Sequence, residues 1–270
     1  KYYPLFPNEQ MNEEIQKLWI YFTETLEWGK DSLHTRVTFD FIIDAMNFSK
    51  GRAILDAGAG HQRFKSFFNN STYLTQEHPS GIEFKRMQGL NYDFVHPMDD
   101  LIPLKSNSIA CIYNHSVLEH VRYPQKFLNE AFRVLNPGGR IYIHVPFMGG
   151  EHEIPYDFQR PTRYGLKAWL EEAGFGNVWL IPSSNQTYGS SSGVLQAAYQ
   201  DCVARGKTLE LNTLLPIYKY LVDYMNAATN DYVDLNATHP IGWVAIAVKS
   251  GDLPQVTNQT KTEFLDTNMV

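Results

Sequence analysis

The stretch most able to do chemistry is Ala53-Ile54-Leu55-Asp56-Ala57-Gly58-Ala59-Gly60. An apolar run ends in an acidic residue and a two-glycine turn that opens the next element. Glycines there let a backbone approach a ligand closely and take dihedrals that a Cβ obstructs. In an open α/β sheet such a turn lies at the carboxyl edge, where ligands bind. A dinucleotide site would need a third glycine, but that position is Arg63, whose bulk opposes close helix–strand packing on a pyrophosphate. A ligand without phosphates fits better. Glu77 closes the next apolar run, 21 residues after Asp56, where an acidic side chain can accept both hydrogens of a ribose diol.

A second cluster follows the fifth apolar run: Pro146-Phe147-Met148-Gly149-Gly150-Glu151-His152-Glu153-Ile154-Pro155-Tyr156-Asp157-Phe158-Gln159-Arg160. His152 is its candidate general base, because imidazole titrates near neutral pH. Asp157 and Arg160 read either as acceptor contacts or as a salt bridge that shapes the loop. His144, His152 and the neighbouring carboxylates match no metal-ligand signature, so no metal is expected.

These residues need a frame. Short apolar runs alternate with helical patterns: strands over 53–57, 73–77, 92–96, 109–113, 140–145, 178–181 and 243–248. Helices are predicted over 8–27, 33–47, from Gly60 to Phe68, over 125–135, and from a Thr162 cap to Ala173. Asn136-Pro137-Gly138-Gly139 reads as a helix stop. Such alternation predicts right-handed βαβ units. The expected fold is α/β: a Rossmann-like, seven-stranded, mostly parallel sheet with helices on both faces. Residues 1–50 form an N-terminal helical cap and 51–250 the main domain. A helical insertion lies over about 194–235, before the last strand, and 251–270 is a loose tail.

Three further segments narrow the reading: Pro103-Leu104-Lys105-Ser106-Asn107-Ser108-Ile109, Asn114-His115-Ser116-Val117-Leu118-Glu119-His120-Val121 and Leu135-Asn136-Pro137-Gly138-Gly139-Arg140. Together with the glycine turn, and in this order, they resemble the class I S-adenosylmethionine-dependent methyltransferases, the group with Val-Leu-Glu-His-Val and Leu-x-Pro-Gly-Gly segments. The resemblance covers about residues 50–182. It implies S-adenosylmethionine as cofactor, with Ala57, Gly58 and Gly60 cradling its methionine part and Asp56 organising the loop behind. Glu77 would hold the ribose, Met98 and Asp99 would meet adenine, and Asn114 and His115 would lie beside the sulfonium. Two positions depart from the group: Glu77 stands where Asp is usual, and Met98 aligns with an aspartate, leaving that role to Asp99 or Asp100. The 146–160 stretch resembles the group's His-x-x-Pro-x-Asp-x-x-Arg loop through His152, Pro155, Asp157 and Arg160. It makes Phe147, Tyr156, Asp157 and Arg160 the candidate acceptor contacts. Glu119 and His120 are read as a brace for a loop.

The implied activity is methyl transfer to a small-molecule acceptor, chiefly O-methylation of a sugar, glycan or secondary metabolite. The alternatives are an N- or C-methyltransferase domain of a multidomain synthase, or a non-catalytic S-adenosylmethionine-binding module. A net charge of −6 argues against nucleic acid as partner, and no apolar run reaches membrane-spanning length. Two cysteines and no signal-peptide core suggest a cytoplasmic protein. Lys1 in place of an initiator suggests a segment of a longer chain, and a homodimer is an open possibility. The 37 aromatic residues, 14% of the chain, are expected to wall a substrate chamber, through Trp19 and Phe22 in the cap, Phe147, Tyr156 and Phe158 in the loop, and Tyr218 and Tyr224 in the insertion.

Overall fold

Ala53–Ala57 (β1) is buried at every position, the mark of a strand covered on both faces, and it lies inside the sheet. In a computed structural model of the chain, β1 is flanked by Thr72–Glu77 (β2) and Ile109–His115 (β4), both parallel to it. Phe94–Val95 (β3) lies beyond β2, and Leu135–Pro146 (β5) runs parallel to β4. With Gly176–Pro182 (β6) and Gly242–Val248 (β7), the sheet has seven strands in the order β3-β2-β1-β4-β5-β7-β6. Gly138 N donates to Lys249 O (2.7 Å) and Phe147 N to Ile241 O (2.7 Å), so β7 runs antiparallel to β5. The structure describes residues 13–25, 33–79, 89–184, 198, 201–207, 210, 212, 213, 215–217, 220, 235–255 and 260–266. Most of the predicted 194–235 insertion lies outside them.

The helices are Glu13–Ile20 (α1, continued by a π-helical turn at Tyr21–Thr25), Leu33–Ser49 (α2), Pro124–Val134 (α3) and Arg163–Glu172 (α4). α3 buries Phe127, Leu128, Ala131 and Val134 on one face. Pro124 starts it, where a missing N–H costs nothing. Thr162 caps α4, its hydroxyl accepting from Gly165 N at 3.1 Å. Among the described residues no helix is long and apolar enough to cross a membrane.

Four boundaries differ from expectation. β3 is shorter because Asp93 bonds sideways: its carboxylate accepts from Thr75 N (2.9 Å) and Thr75 Oγ1 (3.0 Å) in place of ladder bonds. β4 runs two residues further, so Asn114 and His115 belong to the strand rather than to the loop after it. The Asn136–Gly139 turn is incorporated in β5, because Gly138 and Gly139 exchange bonds with Lys249. The helix expected after Gly60 shrinks to one 3-10 turn, Lys65–Phe68, since Gln62 takes a left-handed φ of 53° that an α-helix cannot include.

The chain divides into two compact units. One takes the described residues of Lys1–Asp40, Pro146–Ile154 and Ile181–Trp243; the other those of Phe41–Val145, Pro155–Leu180 and Val244–Val270. Within the first, Trp19 and Phe22 pack on Phe39 at ring separations of 4.9 and 5.5 Å, and Phe22 is fully buried. His34 Nδ1 lies 3.2 Å from Ser183 O, and burial pushes this imidazole down to about 4, so it is neutral at physiological pH. In the second unit Phe41, Phe64, Phe68, Tyr73, Tyr113 and Tyr142 are all buried against the sheet. Much of the aromatic content is therefore core. Trp19 and Phe22, expected as chamber walls, are packed within their own unit because large rings are the cheapest apolar area to remove from water.

Replacing Thr162 by Ala removes the α4 cap and leaves Gly165 N without its acceptor. The expected loss is about 1 kcal/mol of unfolding free energy, read by urea denaturation.

Candidate functional site

Strand register brings the sheet's carboxyl ends level. Asp56 of β1 lies opposite Thr75 and Tyr113, Ala57 opposite Gln76, and His115 opposite His144. The glycine turn then leans toward β2: Gly58 N and Ala59 N both donate to Gln76 O, at 3.0 and 2.9 Å. Glu77 clamps its far end. Its Oε2 accepts from Gly60 N at 2.7 Å and its Oε1 from His78 N at 2.8 Å, while Tyr92 OH donates to Gly60 O at 2.6 Å. Gly58 sits at φ +84°, and a Cβ there would come within 2.6 Å of Val117 Cγ1. The sequence places this glycine for a ligand; the structure adds that the Val117 side chain already fills the space beside it.

Asp56 is bonded to Tyr73 of the neighbouring strand: its carboxylate takes a short hydrogen bond from Tyr73 OH, and burial pushes its pKa up to about 7. The Tyr73 bond pulls the value down and the nearby Glu77 charge pushes it up. Burial likewise drives the Tyr113 hydroxyl well above its ordinary range. Asp56 thus supports the turn from below, and Glu77 is the residue that holds its backbone.

The end of β4 supplies the other wall. Asn114 is fully buried; its Nδ2 donates to Ala57 O at 2.9 Å, and its Oδ1 has no hydrogen-bond partner among the described residues. The His115 ring stacks on His144 at 4.4 Å and 12°. Ser116 then turns the chain with φ +53°; its N–H donates to His144 O at 2.8 Å, and its Oγ lies 3.2 Å from His144 Nδ1. Sequence reasoning passed over Ser116 and His144 as active groups. Ser116 lies inside a segment read as a whole, and His144 is weighed only as a metal ligand.

On the loop after β3, Met98 is buried. Asp100 Oδ1 accepts from Leu101 N at 2.8 Å, whereas half-buried Asp99 receives no hydrogen bond from a described residue. Beyond β5, the 155–162 segment is tied to a single 3-10 turn, Leu118–His120. Phe158 N and Gln159 N donate to Glu119 O (2.8 and 3.1 Å), and His120 Nδ1 lies 2.8 Å from Tyr156 O. Arg160 binds Asp157 through two bonds of 2.6 and 2.7 Å, so these two side chains neutralise each other and shape the loop. Tyr156 remains partly exposed. Phe147 and His152 belong to the other unit. Phe147 packs on Trp243 at 5.7 Å, and exposed His152 has its Nδ1 3.3 Å from Gly150 O.

The groups at the edge of β1, β2 and β4 suit a ligand of mixed chemistry. An orphaned buried amide oxygen calls for a donor. The Glu77 carboxylate at the same edge is an acceptor-only group suited to hydroxyl donors. Asp99 is open to a further donor. Comparison with known proteins agrees: the model of a family described as "Methyltransferase domain" matches residues 55–143. Residues 55–143 thus match a methyltransferase domain. The domain is similar to a tRNA U34 carboxymethyltransferase of Pseudoalteromonas translucida, 23% identical over 56% of this chain and 52% of that one. A 37.1 kDa protein in a transposon of Streptomyces fradiae is 31% identical over 39% of this chain and 33% of its own length. Among solved structures, phosphoethanolamine N-methyltransferase 2 of Haemonchus contortus, bound to S-adenosyl-L-methionine, is 14% identical at a TM-score of 0.46, over 90% of this chain and 59% of that one. The chain spans about half the length of the curated relatives it matches.

The raised Asp56 pKa has a consequence for stability. Between the unfolded value near 4 and the folded value near 7, the native state keeps a proton that the unfolded chain has lost. Stability from this group is therefore full below about pH 4 and falls as pH rises to about 7, by on the order of 4 kcal/mol. Asp56→Asn should flatten that fall. Urea denaturation at steps from pH 4 to 8 checks it, the variant gaining on wild type as pH increases.

Proposed function

We propose that the chain binds S-adenosylmethionine at the carboxyl edge of β1, β2 and β4 and methylates a hydroxyl of a small molecule such as a sugar, glycan or secondary metabolite. The buried, unpartnered Oδ1 of Asn114 beside the glycine turn carries the cofactor half of this reading. In it, the Asn114 oxygen receives the ammonium of the methionine part, which lies along Ala57–Gly60. Glu77 receives the ribose hydroxyls. Asp99 accepts from the adenine amine, Met98 packs behind it, and His115 borders the sulfonium. When bound, the sulfonium supplies an already activated methyl carbon. The chain's residues then have to align the acceptor in line and keep water out, which is worth roughly 7–11 kcal/mol. Tyr156 contributes an exposed ring on a loop that the Asp157–Arg160 pair holds in shape. A hydroxyl acceptor also needs somewhere for its proton to go. His152, the candidate base from sequence, is an exposed loop imidazole bonded within its own segment.

A second reading is transfer to RNA. It is favoured by the names of curated relatives, three of which are tRNA U34 carboxymethyltransferases.

Calorimetric titration with S-adenosylmethionine and S-adenosylhomocysteine tests the cofactor half. Micromolar binding is expected; Glu77→Gln should weaken it by about tenfold through a lost charge-assisted bond, and Gly58→Ala should abolish it by forcing the turn off Val117. Absence of binding by the wild-type chain would sink the reading. Methyl-tritiated S-adenosylmethionine offered with monosaccharides, phenols and unmodified tRNA then separates the acceptors. Label in the tRNA fraction alone would replace the small-molecule reading by the second one.

A further inference from the structure

We propose that Ser116 and His144 form the proton-accepting pair of the site: the acceptor hydroxyl hands its proton to Ser116 Oγ while the Ser116 proton moves to His144 Nδ1. This rests on the methyl-transfer reading above and names the proton acceptor which that reading requires.

Four observations meet at this pair. The Oγ–Nδ1 separation is 3.2 Å, within reach of a hydrogen bond. Ser116 is solvent-exposed and stands two residues beyond Asn114, whereas His144 is 3% exposed on β5. The pair thus joins an accessible hydroxyl to a sheltered base. Third, Ser116 holds φ +53°, a left-handed conformation unfavourable for a residue with a Cβ. Two contacts maintain it: the bond from Ser116 N to His144 O at 2.8 Å, and Val117 packed against Gly58. Strain of this kind persists where surrounding structure over-determines it, and it clusters at functional sites. Fourth, the His144 ring is fixed in orientation by stacking on His115 at 4.4 Å. The elbow that carries Ser116 is therefore keyed directly into the cofactor turn.

The step balances. The acceptor O–H proton goes to Ser116 Oγ, and the former Ser116 proton goes to Nδ1, which leaves His144 as an imidazolium. The electron pair freed on the acceptor oxygen forms the C–O bond to the methyl carbon. The C–S pair stays on sulfur, and the sulfonium charge disappears as the imidazolium charge appears. After the product leaves, the proton returns through Ser116 to water. The pair requires the His144 tautomer with its proton on Nε2, so that Nδ1 can accept.

That requirement gives a readout independent of turnover. Long-range proton–nitrogen NMR of the histidine rings in the whole chain, without acceptor, should show His144 with Nε2 protonated and Nδ1 bare. The Nδ1 resonance should move in Ser116→Ala. An Nδ1–H tautomer, or an Nδ1 signal indifferent to Ser116→Ala, overturns the proposal. With an acceptor that the tritium assay identifies, Ser116→Ala and His144→Gln should each lower kcat by about 10²-fold, the low end for general-base loss. KM and the calorimetric cofactor Kd should stay within about threefold in Ser116→Ala, and the double variant should be no worse than the weaker single one. Wild-type kcat in Ser116→Ala overturns the pair. Failure of the wild-type chain to bind S-adenosylmethionine is a different result and counts against the cofactor site alone.

Discussion

The glycine turn after β1 is held from two sides, and the remainder of the site is referenced to it. From β2, Glu77 accepts from Gly60 N at 2.7 Å and Gln76 O takes both Gly58 N and Ala59 N. From β4, Val117 occupies the space a Gly58 Cβ would need. One carboxylate and one valine therefore set the position of a backbone segment on which three strands converge. A charge-assisted bond contributes more than a neutral one. This accounts for an acidic residue at the end of β2 even before any ligand is bound. It also bears on Glu in place of the more usual Asp: the side chain that would meet a ribose is the one that bridges Gly60 and His78, and its extra methylene gives reach to both amides.

Beneath the turn, the structure accepts an unfavourable burial. A carboxyl at 2% exposure, bonded to one tyrosine and near the buried hydroxyl of another, has its pKa pushed up to about 7. Desolvation outweighs the single hydrogen bond, as expected when a carboxylate has no cationic partner. The tyrosines fill volume that phenylalanine would also fill, so the polar contact serves to fix Asp56 rather than to add apolar area. Strand register then transmits that fixity, since Asp56 lies opposite both Thr75 and Tyr113.

Periodicity located every strand of the sheet because parallel, doubly covered strands read as unbroken apolar runs, as Ala53–Ala57 does. The glycine turn and Glu77 were legible because the backbone there demands particular residue types. What could not be read are features decided by distant partners. The shortening of β3 depends on Asp93 meeting Thr75, and the early start of β5 depends on Lys249, more than a hundred residues away. Aromatic count could not distinguish Phe22, fully buried, from Tyr156, partly exposed. The net charge of −6 was a weak guide to partners for a similar reason. It sums charges already engaged with each other, as in Arg133–Glu130, Arg140–Asp44 and Arg160–Asp157, and says nothing of how the rest are arranged.

Where a catalytic group is mounted decides how well it can be aimed. A loop imidazole such as His152 takes its position from a short segment with its own local bonds. His144 takes its position from a strand, and Ser116 from an elbow locked by main-chain bonding to that strand and by Val117 against Gly58. Displacements of about 1 Å cost on the order of 10²-fold in rate when reacting groups must be in line. A proton acceptor built on strands thus keeps a constant relation to the glycine turn. Such a layout refers the residues that would aim the proton to the same supports as the glycine turn, and the Leu118–His120 turn that continues the elbow anchors the loop carrying Tyr156 to the same frame.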